Sequence, residues 1–89
     1  MSGMAPIEVL GAVMRERAYQ DRKWGAIEAH GHTVGEWLLI LASELREAET
    51  AWVKGGGDAD ALREIVQVVA VGLAALEQHG AVEREGDGT

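Results

Sequence analysis

The stretch TVGEWLLILASELREAETAWVK, residues 33–54, decides the fold. Its first four residues, Thr33-Val34-Gly35-Glu36, form a capping box: the Thr33 hydroxyl accepts a free N–H of the first turn, and Glu36 reaches back to the N–H of Thr33. At about 100° per residue, Trp37, Ile40, Leu41, Leu45, Ala48, Ala51 and Trp52 then share one broad apolar arc. Ser43, Arg46, Glu49 and Thr50 take the other side. Two acids break the pattern. Glu44 falls inside the apolar arc, between Trp37 and Ala51, and Glu47 lies at its edge beside Ile40. The helix predicted here runs to about Lys54, where Gly55-Gly56-Gly57 ends it.

Two more helices follow from the same signals. Upstream, Pro6 suits a first helical turn, and Ile7, Leu10, Met14 and Ala18 repeat at helical spacing, so a helix is expected from about Pro6 to Lys23, before Gly25. Residues 25–32 read as a loop. Downstream, Asp58 or Asp60 caps a third helix that runs to about His79 and stops at Gly80. Leu62, Ile65, Val66, Val69, Leu73 and Leu76 give it a full apolar face. Its opposite face, with Val68, Val71, Ala74 and Ala75, is also largely uncharged and carries Glu64 and Gln67. A helix that is apolar nearly all round is buried on two sides. Three helices cannot do that alone, so the expectation is an all-α antiparallel bundle of three main helices completed by homo-oligomerisation. Residues 1–82 form the single domain, and 83–89 a disordered polar tail.

Composition narrows the function. The 89 residues carry a net charge of −7, opposite in sign to what a nucleic-acid polymer attracts. Cysteine is absent, which excludes disulfide staples and thiolate metal sites. No leader-like segment opens the chain, and no run reaches the roughly 18 apolar residues of a membrane span. A cytoplasmic protein is expected. Half of the 8 basic residues, Arg15, Arg17, Arg22 and Lys23, crowd toward the end of the first helix. There they complement the helix dipole as solvated cations or contact phosphates.

The acids point to a cation. Residues three apart neighbour one another on a helix surface, so Glu44 pairs with Glu47, and Glu64 with Gln67 one helix later. If the second and third helices pack antiparallel, the pairs lie at comparable distances from the connecting turn and can meet. Glu-x-x-Glu is common by chance on solvated helix faces; the position of Glu44 among Trp and Leu sets this instance apart. Ionised carboxylates withdrawn from water protonate or find a partner. Arg46 and Arg63 point elsewhere, so a hard divalent cation is the expected partner, Mg²⁺ first and Mn²⁺ as its alternative.

These residues resemble the MazG-like family of all-α nucleoside triphosphate pyrophosphohydrolases, whose signature is Glu-x-x-Glu followed, after a variable gap, by Glu-x-x-Asp. Ser43-Glu44-Leu45-Arg46-Glu47-Ala48 matches the first half, and Arg63-Glu64-Ile65-Val66-Gln67 stands in place of the second. The segment Gln20-Asp21-Arg22-Lys23-Trp24-Gly25, then His32-Thr33, is similar to the family's approach to its first motif. The resemblance spans roughly residues 14–79. It implies a Mg²⁺-dependent enzyme, with Glu44, Glu47 and Glu64 as catalytic metal ligands and Gln67 in the fourth ligand position. Such an enzyme cleaves (d)NTP to (d)NMP and pyrophosphate, a nucleotide-pool house-cleaning activity. Trp24 and Trp37 are then candidates for stacking on the base, Gln20 for contacting it, and Lys23 for the phosphates. Trp52 reads as core, and Trp37 equally as core or contact. His30 and His32 read as solvated loop residues. Gln67 departs from the signature Asp: its carbonyl can ligate a cation but brings neither charge nor basicity. Fewer or weaker metals, a substitute acid such as Asp60, or lost catalysis are the consequences. The alternative function is accordingly a catalytically impaired helical oligomerisation or nucleotide-sensing module.

Overall fold

In the computed structural model, which describes residues 3–25 and 30–86, the capping box at Thr33 forms as its residue types require. Glu36 N–H donates to Thr33 Oγ1 at 3.1 Å, and Thr33 N–H donates to Glu36 Oε1 at 2.8 Å. It starts α2, Val34–Ala51. Before it lies α1, Pro6–Trp24, with Pro in its first turn and Gly25 at its end, where φ is 91°. After it lies α3, Gly57–His79, stopped at Gly80. The predicted loop at 25–32 is described only at its ends, since 26–29 lie outside the described residues. Among the described residues there is no strand, and no helix is long and apolar enough to cross a membrane. Residues 80–86 carry no helix and are exposed; the rest of the expected tail, 87–89, lies outside the described residues.

The junction of α2 and α3 differs from the expectation of two separate helices. The chain counts two helical runs, the second of them kinked where a wide π-type turn over Trp52–Gly56 joins α2 to α3. The bend itself is set by backbone angles: Lys54 leaves the helical region, and Gly55 and Gly57 take φ of 98° and 65°. Only glycine adopts those angles without strain. The expected cap at Asp58 or Asp60 is absent. Gly56 holds that position with no side-chain bond. Asp58 instead accepts Trp52 Nε1–H at 3.0 Å, and Asp60 accepts from Arg63 at 2.7 Å.

The two arms pack antiparallel. Trp37 at the start of α2 bonds Gln78 at the end of α3, Leu41 packs over Gly72, and Trp52 meets Asp58 beside the turn. Trp37, Val71 and Ala74 form the buried centre, with Ile40, Leu41 and Ala75 around it. Along α2 the buried stripe is narrower than the expected arc: Leu45 and Trp52 are 52% and 57% exposed. Trp52 is therefore not a core residue. Its indole rests beside the turn, with its polar end bonded to Asp58.

α1 packs on α3 through a buried cation. Arg17 is 5% exposed and donates through Nε to Glu77 of α3 at 2.8 Å, and through a terminal nitrogen to Asp21. Burial alone lowers its proton affinity, but the two carboxylates more than offset this and hold it charged. The expectation of solvated cations thus fails at Arg17, because its planar fork reaches two acids on different helices. Gln78 is the second fastener. Its Oε1 accepts His32 N–H and Trp37 Nε1–H, at 3.0 and 2.8 Å, and its Nε2 donates to His32 O at 2.8 Å.

Candidate functional site

Glu44 lies in the buried stripe of α2, one turn from Ile40 and Ala48, and is half-buried. Burial pushes its carboxyl above the usual carboxylate range, and the charges of Glu47, Glu64 and Glu16 push it further; Lys23 acts weakly the other way. Glu47 on the same helix and Glu64 across the antiparallel hairpin are thus near enough to act on the charge of Glu44. One oxygen of Glu64, Oε2, is fully enclosed and has no hydrogen-bond partner. An enclosed carboxylate oxygen is a costly arrangement unless a donor or a cation meets it. The donor set is all oxygen, which suits a hard divalent ion. Among the described residues, no three His, Asp or Glu side chains already converge on one point as a cation cage. The acids are neighbours in charge, spread across three helices.

The third of those helices was not foreseen. Glu16 of α1 also acts on the charge of Glu44, from outside the motif. Its Oε2 accepts from Gln20 Nε2, which also reaches the backbone carbonyl of Gln67, both at 3.4 Å. Gln20 is buried, 7% exposed, so this amide ties the α1 acid to the position where the signature Asp is missing. The signal lay in the spacing: Glu16, Gln20 and Lys23 fall on one helical face at intervals of four and three. Asp60, the substitute considered from sequence, does not contribute. It is engaged by Arg63 at the start of α3 and does not act on Glu44.

Beside Glu44 opens a cleft of about 260 Å³ lined in part by Gln20, Trp24, Trp37, Ile40, His30 and His32. Three of the four residues singled out for substrate contact thus line one cavity with Glu44. The fourth, Lys23, lies just outside, in a shallower depression shared with Trp24. Its ammonium stands 4.9 Å from the Trp24 ring centre and 5.9 Å from that of Tyr19, a cation–π arrangement. Trp24 is 52% exposed and free to stack, whereas Trp37 is 8% exposed and anchored by Gln78. Trp37 is thus a core residue that also forms a wall of the cleft. His32 is a half-buried loop residue: its backbone is held by Gln78 at both ends, and its ring meets Trp37 edge-on at 4.8 Å. His30 is exposed at the cleft mouth.

No protein-family model, curated protein or solved structure matches this chain.

Proposed function

We propose that this protein is a Mg²⁺-dependent nucleoside triphosphate pyrophosphohydrolase that converts (d)NTP to (d)NMP and pyrophosphate in the cytoplasm, in the manner of the MazG-like enzymes its motifs resemble. One observation carries the reading. Glu44, whose carboxyl feels the charges of Glu47, Glu64 and Glu16, lines a cleft walled by two indoles, and Glu64 carries an enclosed, unpartnered oxygen. Glu44, Glu47 and Glu64 would hold the metal, with Gln67 offering at most a neutral carbonyl and Glu16 supplying a fourth charge. When bound, Mg²⁺ (or Mn²⁺) neutralises the triphosphate and acidifies a ligated water.

The chain's own residues account for the rest. Trp24 presents an exposed ring face on which a base can stack, and Gln20 lines the same cleft. Lys23, exposed beside Trp24, offers a cation for the phosphates. In the reaction, a water oxygen bonds to phosphorus, the bridging α–β P–O bond breaks, and the water's proton must be accepted. A carboxylate of the cluster not fully engaged in ligation is the group to accept it. The same reading includes a homo-oligomer, dimer or tetramer, and no nucleic-acid polymer as partner.

The test is pyrophosphate release over a panel of canonical and damaged nucleotides with Mg²⁺. Turnover that Glu44→Ala reduces by at least about 10²-fold, the usual scale for a lost acid–base group, supports the enzyme. No turnover of any nucleotide, with no Mg²⁺ binding by calorimetry, sinks it. The uncharged Gln67 favours one second reading, a nucleotide-sensing or oligomerisation module that kept the fold. Its mark would be nucleotide binding without product.

A further inference from the structure

The amide of Gln20 can face only one way. Its Nε2 stands between two acceptors, Glu16 Oε2 and the backbone carbonyl of Gln67, both at 3.4 Å. A carboxylate and a carbonyl accept and do not donate, so an inverted amide would set its oxygen against two others. The carbonyl end, Oε1, is left without a partner among the described residues. It is not enclosed either, since Glu64 Oε2 is the one enclosed side-chain atom there that lacks a partner. Gln20 is otherwise buried and lines the cleft beside Glu44, so Oε1 opens onto that cleft.

The other buried polar side chains of the cleft share this bias. Arg17 spends its guanidinium on Glu77 and Asp21, and Trp37 spends its indole N–H on Gln78. Asp21, the neighbour of Gln20 on α1, also lines the cleft and keeps a second carboxylate oxygen beyond the one that Arg17 holds. The buried donors therefore turn into the protein, and what α1 leaves for a ligand is acceptors. His30 and His32 can each present a donor or an acceptor and so do not discriminate.

We propose that the cleft selects nucleobases that carry an exocyclic amino group, and that Gln20 Oε1 is the atom that reads it. The proposal rests on a base entering this cleft, as in the reading above, and not on the bond cleavage that follows. The indoles of Trp24 and Trp37 wall the cleft, which suits a flat ring with a polar edge. An amino group on such a ring, as in cytosine or adenine, holds two N–H donors in the ring plane and can meet both acceptors of α1. Uracil, thymine and hypoxanthine carry a carbonyl oxygen at the same place, which would meet Gln20 Oε1 lone pair to lone pair. Their ring N–H lies beside that oxygen, so it serves one acceptor and brings the carbonyl against the other. A site whose polar groups the wrong ligand leaves unpaired rejects that ligand.

Calorimetric binding and kcat/KM of the full chain with Mg²⁺ test this on two pairs of nucleotides that exchange the amino group for an oxygen. The pairs are dCTP against dUTP, and dATP against dITP. The amino-bearing member of each should bind at least about 10-fold tighter, the scale set by an acceptor left unpaired. Gln20→Met keeps the length and removes the carbonyl. It should bring each pair within about 2-fold, chiefly by weakening the amino-bearing member, whereas loss of packing alone would weaken both members alike. If that variant loses helicity, the wild type is titrated with the 2-pyrimidinone nucleotide, which lacks the 4-amino group and adds no bulk. It should bind at least about 10-fold more weakly than dCTP; equal binding overturns the proposal. So does equal binding within both pairs, or discrimination that survives in folded Gln20→Met. Binding of none of the four nucleotides overturns it together with the reading above. Equal kcat/KM within both pairs sinks this inference and keeps the catalytic one; a chain that binds dCTP over dUTP and forms no product does the reverse.

Discussion

Replacing Glu64 by Gln in the absence of metal should make this protein more stable, and the same change should remove most of its response to Mg²⁺. In the wild type, Glu64 Oε2 is enclosed with no donor, an arrangement that costs about 1–3 kcal/mol, more when the group is charged. Gln keeps the shape and removes the charge next to Glu44, but its own amide also needs a partner, so the gain belongs at the low end, about 1 kcal/mol. For a domain of this size, that raises the thermal midpoint by about 4–8 °C. A ligand at a hundred times its dissociation constant adds about 2.7 kcal/mol to the folded state, or roughly 10–20 °C. The assay is thermal denaturation by circular dichroism at neutral pH, in EDTA and then in Mg²⁺ at matched ionic strength and fixed protomer concentration. Wild type should gain most of that shift and Glu64→Gln less than half of it. If Glu64→Gln is destabilised in EDTA and its Mg²⁺ shift equals that of wild type, Glu64 is an ordinary helix residue and the metal argument fails.

Further outcomes follow from the same contacts. The pKa of Glu44 is raised in the folded state from its ordinary 4.5, so its ionisation costs stability above the raised value, and that cost vanishes below about 4.5. Metal-free Glu44→Gln should therefore exceed wild type in chemical denaturation at neutral pH and match it near pH 4, with Mg²⁺ reversing the neutral-pH order. Glu36, held below the usual range by Thr33 N–H and side chain, acts with the opposite sign: its contribution is present above the ordinary value and fades as pH falls through the lowered one. Thr33→Ala should cost about 1 kcal/mol by urea denaturation, and no loss would mean that the cap is not formed in solution. Gln78→Leu removes three hydrogen bonds at about 1 kcal/mol each. Faster exchange of the His32 amide and of the Trp37 indole N–H is its expected signature. Arg17→Met should cost about 1–2 kcal/mol, because its half-exposed acid partners re-solvate and discount the larger penalty of a buried pair.

Local physics made the helices legible. The reciprocal bonds of Thr33 and Glu36, Pro6 in a first turn, and glycines at 25, 55, 57 and 80 mark boundaries through single-residue chemistry. The same holds for Glu44: its place in a helical arc follows from 100° spacing alone, and so does its pairing with Glu47. What one strand of sequence could not assign was which apolar residues meet. Leu45 and Trp52 satisfy the helical arc yet stay exposed, because α3 offers α2 a face of Val and Ala and covers only a narrow stripe. Arg17 belonged to a run of cations that sequence treats alike. It is buried because Glu77, sixty positions away, stands opposite it. Glu16 likewise joins Glu44, Glu47 and Glu64 only because α1 crosses the hairpin, a relation no spacing within one helix encodes. The sequence by itself determined the helices, most of their ends and the Glu44–Glu47 pair, since these depend on neighbours within four residues. Only the tertiary structure decided that Glu16 faces Glu44 beside the Trp24–Trp37 cleft, because that depends on how one helix lies across two others.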